Sequence, residues 1–240
     1  YLREAVPRSV NRAEIIATPT EWVRSTVIDK LGVDPDRVAV IPHGIEAEIG
    51  EDAPTEVELR RNYGLGGGRV LVYPAITHPH KGHAFLLKVM SQHWDDPDLR
   101  LVLLGGAGSA DRCIEAKIAS LGLGPRVIRT GRVSAAHRDG LLALAEAMVF
   151  PSEYEGFGAP LVEAMALGTP VIAADQPAVA EVVGNAGIVL PRDSDAWATA
   201  LDDVGVRRQE LVAAGFRRSA EFTAERSGAA LVSAYRRVLE

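Results

Sequence analysis

The 240-residue sequence is poor in cysteine and contains no long apolar run. Its single cysteine, Cys113, excludes an internal disulfide and suits a small core position better than nucleophilic catalysis. No apolar stretch reaches the roughly 18 residues that a membrane-spanning helix needs. The net charge of −6 argues against general nucleic-acid binding. What remains, 47% hydrophobic and 24% charged residues, is typical of a globular protein, which we expect in the cytoplasm.

Short apolar runs alternate with helical patterns along the chain. Residues 14–18 and 37–41 are predicted strands, and between them a helix is predicted from Thr20 to Gly32. An acidic stretch with a short helix follows over residues 46–68, which we interpret as a linker. The order strand–helix–strand is typical of parallel-sheet proteins.

Residues 69–220 form the main predicted domain, and residues 221–240 a closing helix. The predicted strands cover residues 69–74, 99–104, 127–130, 147–150, 170–174 and 187–190. The predicted helices cover residues 83–93, 111–121, 134–147 and 178–183, and further helices fill residues 193–239. The fold class is therefore α/β, a Rossmann-like parallel sheet with flanking helices. Ligands bind such sheets at the carboxyl ends of the strands, so the loops after Tyr73, Leu104, Thr130 and Phe150 should converge on one crevice.

One turn in this domain carries two carboxylates, Glu155 and Glu163, between a strand and a short helix. The N–H groups of Gly156, Phe157 and Gly158 can face an anion or a ring of hydroxyls. A carboxylate accepts the paired hydrogen bonds that a diol offers. The spacing therefore suits a nucleotide-sugar site. A plain turn with two solvated acids and hydrolysis by paired carboxylates are the alternatives.

Three other strand ends carry candidate binding residues. Lys81 lies just before a helix and can neutralise a phosphate there, although a surface lysine is the simpler alternative. Gly105 opens a glycine-rich turn that gives room for close backbone approach but lacks the residues of a P-loop. Arg132 and Val133 can face a nucleotide base, or Arg132 can be solvated.

Two kinds of chemistry are not predicted. The histidines around Lys81 have no cysteine or carboxylate at a spacing that would complete a metal site; they are His78, His80 and His83. Ser152 does not lie in a G-x-S-x-G motif, so a Ser-His-Asp hydrolase is not supported either.

Residues 151–172, PSEYEGFGAPLVEAMALGTPVI, resemble the donor-site signature of glycosyltransferase family 4. Members of that family are retaining enzymes with the GT-B fold of two facing Rossmann-like domains. Residues 38–45 resemble the family's interdomain segment, residues 181–184 the segment after the next strand, and residues 222–239 its closing helix. The resemblance implies that the chain is mainly the C-terminal, donor-binding domain of a GT-B enzyme. Residues 1–45 would then be the last elements of the N-terminal acceptor domain.

The resemblance also implies roles for the candidate residues. Glu155 would contact the hydroxyls of the donor sugar and stabilise its developing positive charge, and Glu163 would bind the ribose. Lys81 would bind the diphosphate leaving group. Arg132 and Val133 would face the base. The sugar and phosphate would be held by the backbone around Gly156, Phe157, Gly158 and Ala159. The donor, a GDP- or UDP-sugar, is a substrate, and neither a metal nor another cofactor is implied.

The sequence departs from the family in two respects. Many members carry an arginine six residues before the lysine, where this chain has Ala75. A subgroup that resembles bacterial mannosyltransferases of polysaccharide assembly also lacks this arginine, which favours GDP-mannose as donor. The second departure is the missing acceptor domain, which would precede Tyr1. We expect donor binding with little transfer from these residues alone, and a glycan or lipid-linked acceptor and any peripheral membrane contact would belong to the preceding domain.

Three rival functions fit parts of the pattern. A sugar-nucleotide epimerase of the same fold would need further carboxylates and histidines at the sugar. A phosphorylase would need a lysine that carries pyridoxal phosphate. A non-catalytic module that only binds a nucleotide sugar would need the turn alone.

Overall fold

A computed structural model describes residues 2–239, with side chains from residue 6 onward. Tyr1, where the first helical pattern begins, and the side chain of Leu2 lie outside the described residues. The strands are β1 (Ile16–Thr18), β2 (Val38–Val40), β3 (Val70–Pro74), β4 (Arg100–Leu104), β5 (Val127–Gly131), β6 (Ala147–Phe150), β7 (Val171–Ala174) and β8 (Ile188–Leu190). The helices are α1 (Leu2–Arg12), α2 (Glu21–Leu31), α3 (Glu56–Tyr63), α4 (His83–Gln92), α5 (Asp111–Ser120), α6 (Ala135–Leu144), α7 (Ala159–Ala166), α8 (Pro177–Val183), α9 (Ala200–Ser219) and α10 (Ala224–Leu239).

Six parallel strands form the main sheet, in the order β5-β4-β3-β6-β7-β8. The chain thus moves outward from β3 through β4 to β5 and then crosses back to β6 on the other side of β3. This is the Rossmann strand order, with its switch point between β3 and β6. The predicted α/β fold class is confirmed. The loops after β3 and β6 diverge at the switch point, and that is where the crevice of such a sheet lies.

The core forms because the central strands are apolar along their whole length. Every residue of β6 and β7 is buried, as parallel strands covered by helices on both faces require. The largest fully buried side chains include Trp197, Tyr73 and Phe150. Each such side chain contributes about 1.5–3 kcal/mol by leaving water. This packing fixes the strand ends from which the loops of the site project.

The N-terminal elements form a separate two-stranded parallel sheet, β1-β2, with α2 against it. Thr20 caps the start of α2, and Gly32 ends it in the left-handed conformation with φ of 64°, as the sequence predicts. The Glu181 carboxylate on α8 accepts hydrogen bonds from the N–H groups of Glu21 and Trp22, at 2.8 and 2.9 Å. Helix α8, which flanks the main sheet, thereby supplies a second cap to the helix that packs on the small sheet.

Three predicted segments differ from the structure or gain detail. The helix predicted over residues 134–147 ends at Leu144, because Glu146 N–H donates to the carbonyl of Val70 and so starts β6. The helix predicted to begin at residue 193 begins at Ala200, because residues 194–199 form turns. The predicted linker, residues 46–68, contains α3, whose Leu59 is buried in the main core. The domain boundaries remain predictions.

None of the helices in residues 2–239 is long and apolar enough to cross a membrane.

Candidate functional site

An ion pair lies at the switch point of the sheet. Lys81 ends a single helical turn after β3, and Glu155 lies in the turn after β6. The Lys81 Nζ atom is 2.6 Å from Glu155 Oε1, and the two side chains are 22% and 13% exposed. The sequence predicts both residues, but for different parts of a ligand. Their direct contact is new, and it means that a ligand of either residue must compete with the other.

Hydrogen bonds from the buried Tyr73 join the two loops that carry this pair. The Tyr73 hydroxyl donates to the Lys81 carbonyl at 2.6 Å and lies 3.1 Å from Ser152 Oγ. The N–H of Glu153 donates to the His80 carbonyl at 2.7 Å. Burial raises the pKa of Tyr73 well above its usual value, so the hydroxyl stays protonated and keeps donating. The sequence predicts only that Tyr73 lies in a strand, and nothing in it indicates that the hydroxyl joins the two loops.

Gly82 and Arg192 bring the same loops into close contact. Gly82 has φ of 71°, and a Cβ atom there would lie 2.3 Å from the Pro151 carbonyl oxygen, so only glycine fits without a shift. Arg192, in the loop after β8, places Nη1 3.1 Å from Glu153 Oε1. Its guanidinium also lies over the Phe85 ring, 5.1 Å from the centroid. Arg192 therefore holds the outer end of the Glu155 turn and was not predicted from the sequence.

Packing of the Phe157 ring and a hydrogen bond from Thr20 hold the turn of residues 156–159 in place. The Phe157 ring is 3% exposed and meets His43 and Phe222 edge-to-face, with centroids 5.0 and 5.4 Å apart. Thr20 Oγ1 donates to the Gly156 carbonyl at 3.0 Å. Gly158 has φ of 87° and precedes α7, which begins at Ala159. The side chain of Phe157 thus belongs to the core, and any ligand contact from this residue falls to its backbone.

A cleft of about 400 Å³ lies beside the switch point. Five residues of the predicted donor site line it, and they come from three different loops or helices: Gly105, Arg132, Val133, Ala159 and Glu163. Ala75, the site of the missing arginine, lies on the same wall. Gly105 has φ of 138°, and a Cβ atom there would lie 2.5 Å from the Ala75 carbonyl oxygen, so glycine lets the two loops touch. The predicted convergence of the strand-end loops is confirmed by this wall.

Arg138 on α6 also lines the cleft and was not predicted. Its Nη1 atom is 3.7 Å from Glu163 Oε1, and its Nη2 atom is 2.7 Å from Asp139 Oδ1. Burial raises the pKa of Glu163, and the Arg138 charge opposes that rise. One feature of the sequence points to this arginine indirectly. Asp139 lies three residues before the buried Leu142 on the same helix, so its carboxylate faces the core and needs a cation nearby.

The histidines around Lys81 have three different environments. His78 and His80 stack with centroids 5.9 Å apart, and His80 stacks on Tyr154 at 4.9 Å. His83 is buried against Tyr73, and burial lowers its pKa to about 4. Within residues 6–239, no group of three or more His, Cys, Asp or Glu side chains is arranged to hold a metal ion.

Comparison with known proteins places this site in a family. The model of the family described as "Glycosyl transferases group 1" matches residues 57–210, more than half of the chain. The chain belongs to this family. The match includes the Lys81 loop, the cleft residues and the Glu155 turn. The predicted kinship with GT-B glycosyltransferases is therefore confirmed.

Several relatives are described as mannosyltransferases, and two of them match most of this chain. O-antigen chain mannosyltransferase RfbU of Salmonella typhimurium is 29% identical over 206 residues, which are 85% of this chain and 54% of that protein. O-antigen chain mannosyltransferase B of Escherichia coli is 28% identical over 246 residues, or 98% of this chain and 64% of that protein. The chain thus spans between about half and two thirds of these relatives' lengths.

A solved structure has the same fold. Anabaena Alr3699/HepE in complex with UDP and glucose matches with a TM-score of 0.83 at 21% identity, over 97% of this chain and 65% of that one. The fold is that of the C-terminal half of GT-B glycosyltransferases.

Proposed function

We propose that the chain is the donor-binding half of a retaining glycosyltransferase. It would transfer a hexosyl group from a nucleotide sugar to a glycan or lipid-linked acceptor, with GDP-mannose the favoured donor and a UDP-sugar the alternative. The observation that carries the proposal is the Lys81–Glu155 pair at the switch point, next to the cleft lined by predicted nucleotide contacts. The choice of mannose is supported by the related mannosyltransferases and by Ala75.

The two members of the pair have complementary tasks in this proposal. A diphosphate brings several negative charges, so it competes with the single Glu155 carboxylate for the Lys81 ammonium. Glu155, once released, accepts hydrogen bonds from the sugar hydroxyls next to the reacting carbon. The 2.6 Å contact supports this exchange, because it places both side chains within reach of one ligand.

Transfer then needs the leaving group to be stabilised as charge develops. The bond between C1 of the sugar and the diphosphate oxygen breaks, and its electron pair stays on the diphosphate beside Lys81. The acceptor hydroxyl oxygen forms the new bond to C1 on the same face, and its proton passes to the departing diphosphate oxygen. The Glu155 carboxylate stabilises the positive charge on the sugar between these events.

The nucleoside would occupy the cleft of about 400 Å³, a size usual for small-molecule sites. Glu163 on its α7 wall would accept from the ribose diol. Arg132 and Val133, on the β5 side, would contact the base. Gly105, which lines the cleft beside Ala75, would meet the nucleoside with its backbone.

Thermal unfolding of the chain with GDP, UDP, GDP-mannose and UDP-glucose tests this proposal. A ligand at 100 times its dissociation constant stabilises the folded state by about 2.7 kcal/mol. We expect a rise in Tm with GDP and GDP-mannose that Lys81→Ala reduces. If none of the four compounds raises Tm, the proposal is contradicted.

Catalysis is tested separately from binding. In a full-length enzyme, Glu155→Ala should abolish mannosyl transfer while nucleotide binding persists. Unchanged turnover would remove Glu155 from the mechanism. Binding without transfer by the full-length wild type, whatever acceptor is supplied, would favour the non-catalytic module.

A further inference from the structure

We propose that Arg138 is a positioning residue of the donor site, which fixes the Glu163 carboxylate in the charged form and in the orientation that a ribose diol needs. The inference rests on the proposed function, because it takes a nucleotide as the ligand of Glu163. It deepens that function by adding a residue that no sequence motif marks.

Contacts with the buried Asp139 carboxylate hold the Arg138 guanidinium in place. Its Nε donates to Asp139 Oδ1 at 2.8 Å, and its Nη2 lies 2.7 Å from the same oxygen. Asp139 is only 6% exposed, and its Oδ2 accepts from Gly50 N–H at 3.3 Å. If Arg138 turned away, a buried carboxylate would lose its cation, which is strongly unfavourable. The guanidinium is therefore a fixed point from which Nη1 reaches Glu163 at 3.7 Å.

Arg138 stands where two clefts meet. Arg138, Ala159 and Glu163 line both the cleft of about 400 Å³ and a smaller one of about 150 Å³. The smaller cleft is completed on its far side by His43 and Glu46. A nucleoside in the larger cleft would place its ribose against this junction. Glu163 would then contact Arg138 on one side and the diol on the other.

The charge balance around Glu163 depends on Arg138. Burial raises the pKa of Glu163, the Arg138 charge lowers it, and Asp139 and Glu46 raise it again. The titratable and charged groups that line the two clefts with Glu163 or act on its charge are Arg138 and Asp139 from α6, His43 and Glu46 from the segment after β2, and Arg132 from the loop after β5. Without Arg138, two nearby carboxylates would oppose ionisation of Glu163. A protonated carboxyl group accepts fewer hydrogen bonds from a diol than a carboxylate does.

The test is the pH dependence of GDP-mannose binding, measured by titration calorimetry between pH 5 and pH 8, because GDP-mannose lacks the terminal phosphate that titrates at about pH 6 in GDP. Ionised Glu163 is required, so affinity should fall toward acid pH. In Arg138→Met this fall should move to higher pH by about 1 unit or more, because a neighbouring cation lowers a carboxyl pKa by about 1–3 units. Arg138→Lys, which keeps the charge, should restore most of the wild-type profile. Arg207→Met, an arginine on α9 paired with Glu210 at the surface, is the matched control and should leave the profile unchanged.

A second variant keeps the inference testable if Arg138→Met does not fold. Glu163→Gln cannot titrate, so its GDP-mannose affinity should lose the acidic fall. Persistence of that fall in Glu163→Gln would overturn the inference, and so would an equal loss of affinity at every pH in Arg138→Met. Failure of the wild type to bind GDP or UDP at any pH would instead overturn the proposed function.

Discussion

Replacing Glu155 by glutamine should strengthen the binding of GDP, although Glu155 is a proposed catalytic residue. In the unliganded protein the Glu155 carboxylate occupies Lys81 at 2.6 Å. GDP has a diphosphate but no sugar, so it gains nothing from Glu155 and must displace it from the lysine. The neutral amide of glutamine keeps the shape, competes less for the ammonium and does not repel phosphate.

The size of the effect follows from the pair's strength. A hydrogen bond to a charged group contributes about 1.5–3 kcal/mol net. Glutamine retains an acceptor oxygen, and both side chains are partly exposed, at 22% and 13%, so we expect less than that range. A gain of about 1 kcal/mol corresponds to about a fivefold lower dissociation constant for GDP.

Calorimetric titration of the wild type and Glu155→Gln with GDP measures this difference. Glu153→Gln is the matched control, since Glu153 lies on the same turn but pairs with Arg192 rather than Lys81. It should change GDP affinity by less than about a factor of two. With GDP-mannose the gain of Glu155→Gln should shrink or reverse, because the sugar loses its carboxylate partner. Weaker GDP binding by Glu155→Gln would refute the competition argument.

Three further predictions concern stability. Gly82→Ala should cost about 2 kcal/mol or more, from the positive φ and the contact with Pro151, as read from urea unfolding. Glu181→Ala removes a cap from α2 and should cost about 1 kcal/mol in the same assay, while an unchanged midpoint would show that water replaces it. His83 stays neutral when folded, with a pKa of about 4, so the unfolded chain takes up its proton first as pH falls. Stability should therefore drop by about 3 kcal/mol from pH 6.5 to pH 4, and His83→Leu should flatten the curve.

The sequence was enough to predict the sheet, for a physical reason. Buried parallel strands are short apolar runs such as residues 147–150 and 171–174. Capping residues mark helix ends, as Ser134 does at the start of α6 and Gly32 at the end of α2. The errors fell at helix ends. The end of α6 is set by a hydrogen bond from Glu146 to Val70, which lies on a distant strand and leaves no local pattern.

The site was only partly predictable, since motifs mark loops and not the contacts between them. Lys81, Glu155 and the cleft residues follow strand ends, which the sequence shows. That Lys81 touches Glu155 depends on β3 and β6 being neighbours in the sheet, and the strand order is not written in any one segment. Arg138 was missed because it lies within a helix, where a charged residue normally faces solvent.

A tight contact between residues 44–45 and residues 222–224 limits how this protein can be recombined with its relatives. The Gly44 backbone lies against Ala224, where a Cβ atom would be 2.7 Å from the Ala224 Cα, and Ile45 N–H donates to the Phe222 carbonyl at 2.9 Å. Phe222 in turn packs against Phe157, in the turn of residues 156–159. A chimera that exchanges the segment before Gly44 must therefore take residues 44–45 and residues 222–224 from the same parent. A junction placed between them would loosen the turn of residues 156–159, whatever segment is joined before it.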